Sequence, residues 1–333
     1  MENRIKDAQK MARRLIGSYM GVKPKEEVFI VVDPATDMIM PEALAQAVME
    51  CGAEYTIGIM PDRAEGEKAT TCTEVVATGA QAADVYIGMT RSSGASVYDS
   101  RIFDRVKKGK LRLCSMVMRD LDNYIKGGAL ADYEALDEEG RRLAGFWQKR
   151  MHVDSASSAG TRLAAEMGQN KPLVECGIAR EAGRHMAFSD GEVSQAPNEG
   201  TMNGTLVIDG PICQLGLPKS PVFMEVKNGR VLNVEGEDPA IVETLRKIIT
   251  DVPHADNIAE IGIGLNPESL FNGDFEEEKK ARGTCHIALG DNVVYGGTIK
   301  CDVHLDMVMY KPTITMDDVI IVNEGWVMME NVE

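Results

Sequence analysis

Apolar residues recur at helical spacing over the first twenty positions (Ile5, Ala8, Met11, Ala12, Leu15, Ile16, Tyr19), and Gly21 follows as a stop. The pattern then changes to an unbroken apolar run, Val28-Phe29-Ile30-Val31-Val32, which predicts a strand buried on both faces. A helix over 41–49, closed by Gly52, and a strand over 55–60 complete a β-α-β unit. Further strands are predicted at 85–89 and 111–118 with helical stretches between them, so the first half reads as a doubly wound, mostly parallel α/β domain. A charged helix from about Tyr133 to Arg150 leads into a short strand at 151–153 and a Ser-rich stretch at 154–160. The domain boundary is expected there, giving an α/β domain over 1–160 and a second domain over 161–333.

After that boundary the texture changes to short alternating runs separated by Gly, Pro and Asn. Strands are predicted at 204–209, 222–227 and 230–234, the last two joined by Asn228-Gly229, which suits the positive φ of a tight primed turn. One helix, over 239–249, interrupts them. The second domain is therefore expected to be β-rich, of α+β type, and to carry the chemistry. No Gly-x-Gly-x-x-Gly follows the first strand; Asp33-Pro34-Ala35-Thr36 stands there instead, which argues against a dinucleotide site.

Composition narrows the function classes. A net charge of −16 opposes binding to a phosphate backbone, and no basic stripe with interleaved aromatics offsets it, so nucleic acid is not an expected partner. No apolar tract is long enough to span a bilayer and the first residues are polar and amphipathic, so no membrane association is expected and the cytoplasm is the expected location. The seven cysteines are scattered with no Cys-x-x-Cys pair, which argues against a disulfide framework or a structural zinc site.

The candidate chemistry lies in four segments. In Val303-His304-Leu305-Asp306-Met307-Val308-Met309 the alternation predicts a half-buried strand on which His304 and Asp306 share a face. Ala259-Glu260-Ile261-Gly262-Ile263-Gly264 places a carboxylate in an apolar strand, where it needs a cationic partner. His286 is embedded in Gly283-Thr284-Cys285-His286-Ile287-Ala288, and Glu192 lies at a Gly191 turn entering a strand. The run Glu276-Glu277-Glu278-Lys279-Lys280 reads as a solvated face from which Glu278 could reach a metal. Pooled, Glu192, Glu260, Glu278, His286, His304 and Asp306 match the oxygen and nitrogen donors of a two-metal site, in which Glu192 and Glu260 would also serve the catalysis.

These segments resemble, in order, the aminopeptidase T family: Gly191-Glu192 with Ala196-Pro197 and Gly204-Thr205, then 260–266, 284–290 and His304-Leu305-Asp306. The resemblance covers residues 185–315 well. It implies an N-terminal α/β domain, a C-terminal domain binding two divalent ions (zinc, cobalt or manganese), a homodimer, and removal of N-terminal residues from a small peptide or amide substrate. Two positions depart from that family, which has a glutamate and a tyrosine where Ala281 and Val293 stand; Glu278 and Tyr295 are the nearest replacements.

Three alternatives compete with the aminopeptidase reading. One is a non-peptidase amide hydrolase. Another is a mononuclear iron oxygenase of the branch that cleaves dihydroxypyridine rings, which resembles this chain at His304-Leu305-Asp306 but has histidine where Glu260 stands, completing a two-histidine, one-carboxylate triad. The third is a non-catalytic binding or assembly protein that has kept the fold.

Overall fold

A computed structural model describes residues 2–63 and 70–332. The chain divides into two compact units, one formed by Met1–Glu134 with Cys176–Asp190 and the other by Ala135–Glu175 with Gly191–Glu333. It thus passes between units three times, where the sequence pattern had placed one boundary near residue 160. The reason is a three-residue strand, His185–Ala187, which adds itself to the first unit's sheet beside Arg112–Ser115. A strand that short leaves no periodicity to read.

The first unit is built on a five-stranded parallel sheet, in the order Glu54–Ile59, Glu27–Val32, Val85–Gly88, Arg112–Ser115, His185–Ala187. Its central strands Glu27–Val32 and Val85–Gly88 are largely buried, and the helices Ile39–Glu50 and Glu74–Ala82 both pack against the first of them. On one side Glu2–Arg13 packs against Ile39–Glu50; Glu74–Ala82 and Ser100–Lys107 pack against each other elsewhere in the unit. Gly21, at φ +57°, ends the first helical segment as the sequence indicated, and Arg112 donates to the carbonyls of Met20 and Gly21 at 2.9 and 2.8 Å.

The second unit holds two antiparallel sheets. The larger has eight strands and includes the Val222–Lys227 and Arg230–Glu235 hairpin, whose turn residues Asn228 and Gly229 both adopt positive φ. The helix Pro239–Asp251 begins with proline in its first turn and packs on the second hairpin strand. The smaller sheet has five strands, in the order His304–Met309, Cys285–Gly290, Ile258–Gly264, Glu192–Gln195, Leu173–Glu175. Every residue of its three strands Cys285–Gly290, Ile258–Gly264 and Glu192–Gln195 is buried. That sheet carries the candidate site. The mixed α/β architecture expected from the sequence is the one observed.

Candidate metal centre

Strand register brings the distant donors together. Residues directly opposite in an antiparallel pair share a face, as do positions two apart on one strand. Glu192 lies opposite Gly264, His286 opposite Gly262, Asp306 opposite Ala288 and His304 opposite Gly290, while Ala288 also faces Glu260. All five donors therefore project from one face of the sheet. On the two strands between the outer donors, that face carries only Gly262, Gly264, Ala288 and Gly290 besides Glu260 and His286, so little but the donors fills the space. Gly262 is required here: a Cβ at that position would lie 2.1 Å from Cε1 and 2.3 Å from Nε2 of His286, whose ring lies over the glycine. A bulge immediately precedes Glu260 on its strand, a device common beside functional sites.

Two overlapping clusters result, Glu192–Glu260–His286 and Glu260–His304–Asp306, with the donor atoms of each within 4.8 Å of one another. Glu260 is fully buried and belongs to both. One of its oxygens lies 3.3 Å from His286 Nε2 and the other 3.0 Å from His304 Nε2. His304 Nε2 is also 3.1 Å from Asp306 Oδ1, and its Nδ1 donates to the Asp291 carbonyl at 2.7 Å. With Nδ1 so engaged, Nε2 faces two carboxylate oxygens at once, which it can satisfy as an N–H donor when the ring is protonated but not when the ring is neutral. A metal ion between the three would take the proton's place, and the Nδ1 bond is the outer anchor that a ligating histidine normally has.

The electrostatics agree. Burial works against the charged form of His304, yet Asp306 and Glu260 hold its pKa well above the ordinary histidine value. Burial would raise Asp306, but Lys279, 3.1 Å away, and His304 hold it well below the usual carboxylate range. Burial pushes Glu192 up to about 7 against the pull of Lys280 and His286. Carboxylates and imidazoles that lean on one another's charge in this way form a field suited to a cation.

Five of the six sequence-selected donors come together; Glu278 does not. It is buried, but its carboxylate accepts from the Tyr310 hydroxyl and from the Gly273 amide at 2.5 Å, outside both clusters. The 276–280 run is also not the solvated face its composition suggested. Glu277, Glu278 and Lys280 are buried, and Lys280 Nζ lies 2.6 Å from Glu192 Oε1, with both side chains almost completely buried. Sequence reasoning missed the two lysines because a short charged run carries no burial signal. Tyr295 stacks on the His304 ring, with centroids 5.0 Å apart and planes at 16°.

A parallel α/β unit joined to a β-rich unit with clustered carboxylates and imidazoles defines the class, a candidate metalloenzyme. A sequence model of the 2,5-dihydroxypyridine 5,6-dioxygenase (NicX) family matches residues 14–329, and the chain belongs to that family. It is similar to the 2,5-dihydroxypyridine 5,6-dioxygenase of Pseudomonas putida KT2440, 29% identical over 194 residues, or 53% of each chain, so the aligned region spans about half of that relative. Among solved structures it resembles the 2,5-dihydroxypyridine dioxygenase of the same organism, with a TM-score of 0.85 at 20% identity over 98% of both chains. It also resembles aminopeptidase T (AmpT) of Thermus thermophilus, with a TM-score of 0.71 at 14% identity over 97% of this chain and 99% of that one.

These findings correct the functional expectation. The kinship with aminopeptidase T is one of fold, and the metallo-aminopeptidase assignment, with its hydrolase chemistry, peptide substrate and pair of zinc, cobalt or manganese ions, gives way to the dioxygenase family. The donors misled because glutamate, histidine and aspartate on one sheet face serve either chemistry. Among the described residues no helix is long and apolar enough to cross a membrane.

Proposed function

We propose that this protein is a ring-cleaving dioxygenase acting on a dihydroxylated pyridine, with a single iron ion held by Glu260, His304 and Asp306. The observation that carries the reading is the outer cluster within a chain of the NicX family: three donor groups from the two strands that flank Cys285–Gly290, of which only His304 has a substantially exposed side chain, at 27%. Donors on one side and an approach on the other suit an ion that must also meet substrate and oxygen. Glu260 makes the set one imidazole and two carboxylates, a departure from the two-histidine form of such sites.

Bound ferrous iron would supply the one-electron chemistry that lets an aromatic ring react with O2. The chain's own groups prepare the place. Asp291 fixes the His304 tautomer, Lys279 pins the second oxygen of Asp306, and Glu260 is held between two imidazoles with no access to water. Tyr295 covers one face of His304, so the ligand ring is held by packing as well as by its hydrogen bond.

The test is oxygen uptake by protein reconstituted anaerobically with Fe(II). Added 2,5-dihydroxypyridine is expected to disappear with one O2 consumed per ring, chelation to abolish the reaction, and leucine p-nitroanilide to remain intact. Folded, iron-loaded protein that consumes no oxygen with any dihydroxypyridine would remove the proposal.

A further inference from the structure

The inner cluster, Glu192–Glu260–His286, has the donors for a second ion, and one group beside it is already cationic. We propose that the Lys280 ammonium takes the place of a second metal ion, so that this two-cluster sheet binds one ion and not two. The inference rests on the single-ion reading above and concerns only how the chain enforces it.

Three observations carry it. Lys280 is 2% exposed and its Nζ lies 2.6 Å from Glu192 Oε1, whose side chain is 1% exposed. That is a dry ion pair, and it commits one oxygen of the carboxylate that the inner cluster contributes alone. Second, the histidines are anchored differently. His304 Nδ1 is bonded to a backbone carbonyl, whereas His286 Nδ1 is buried and without a hydrogen-bond partner among the described residues. The outer support that fixes a metal-ligating imidazole is built for one ring and lacking for the other. Third, one ion leaves the centre nearer to neutrality than two. Glu192, Glu260 and Asp306 bring three negative charges and Lys279 and Lys280 return two, leaving one negative. One divalent ion leaves the centre one positive; two would leave it three positive within a buried sheet, an arrangement that low-dielectric surroundings disfavour strongly.

Removing the ammonium should therefore open the inner cluster. Lys280→Met keeps an unbranched apolar stem one atom shorter, Lys280→Gln keeps a hydrogen-bond donor, and Lys280→Arg keeps the charge. Titration with Co(II), with ions per chain counted after desalting by elemental analysis, is expected to give one for the wild type and for Lys280→Arg. It is expected to give two for Lys280→Met and Lys280→Gln, and one again when Glu192→Gln is added to either. Folding is checked for each variant by circular dichroism. Two ions in the wild type overturn the proposal without reference to any variant, and so does a single ion in folded Lys280→Met or Lys280→Gln. The count is independent of turnover: a protein that holds one ion and cleaves no ring sinks the dioxygenase reading and leaves the role of Lys280 standing.

Discussion

Replacing His304 with alanine is expected to leave a folded protein that holds no iron and turns over no substrate. The backbone ladder that pairs position 304 with Gly290 does not use the side chain, so the sheet survives. What goes is the nitrogen between two carboxylates. Glu260 Oε2 and Asp306 Oδ1, which had faced His304 Nε2 at 3.0 and 3.1 Å, lose the imidazole they share. With like charges brought together in a buried place, one carboxyl then takes a proton, and a protonated carboxyl is a poor ligand. Outer partners of metal ligands alone are worth about 10–100-fold in affinity or activity, so loss of the ligand itself should exceed about 100-fold. Iron content and oxygen uptake measured on the same preparation check this. An alanine substitution at His152, which is exposed and lies in the other sheet of the second unit, should change neither. Full iron retention by His304→Ala would show that the ion is held elsewhere.

The second large effect is expected from Gly290→Ala. Gly290 closes the His286 strand opposite His304, at φ +98°, a backbone region that a side chain strains. A Cβ there would lie 2.0 Å from the Val303 carbonyl oxygen, in backbone that cannot move without carrying His304 along. Its neighbour Asp291 supplies the carbonyl that anchors His304 Nδ1. Backbone strain and overpacking each cost about 1–3 kcal/mol, so a loss of roughly 2–6 kcal/mol in unfolding free energy is expected, together with weaker metal binding. Chemical denaturation of metal-free protein isolates the first effect and metal titration the second. A variant as stable as wild type, with unchanged metal affinity, would show that the 290–303 segment does not position the site.

How much of this was legible in the sequence follows from the range of the interactions involved. Alternation over 303–309 was enough to place His304 and Asp306 on one face, because a strand's period of two is local. The Asn228-Gly229 turn and the stop at Gly21 were likewise local and are found as read. The meeting of Glu192, Glu260 and His286 was inferred from residue type and resemblance only. It is set by register between strands separated by tens of residues, with Gly262, Gly264 and Ala288 leaving the room. The return of His185–Ala187 to the first unit's sheet had no local mark at all.

Chemistry was the least legible part. The donor set comes together in the fold except for Glu278, but its residue types do not distinguish one ion from two, or ring cleavage from hydrolysis. The groups around the donors were as hard to read as the chemistry. Lys280 sits in a run whose composition suggests solvent exposure, yet it is buried against Glu192. Glu278, chosen from the same run as a ligand, is instead tied to Tyr310 and Gly273. Burial of a short charged segment depends on what packs over it, which no local pattern encodes.

The central claim is that one iron ion sits at the outer of two overlapping donor clusters. An anomalous difference map collected at the iron edge from crystals grown with Fe(II) under anaerobic conditions tests it most directly. The account predicts a single peak bonded to His304 Nε2, Asp306 and Glu260, with the space between Glu192 and His286 free of metal. A peak at the inner cluster, or none at His304, would contradict it.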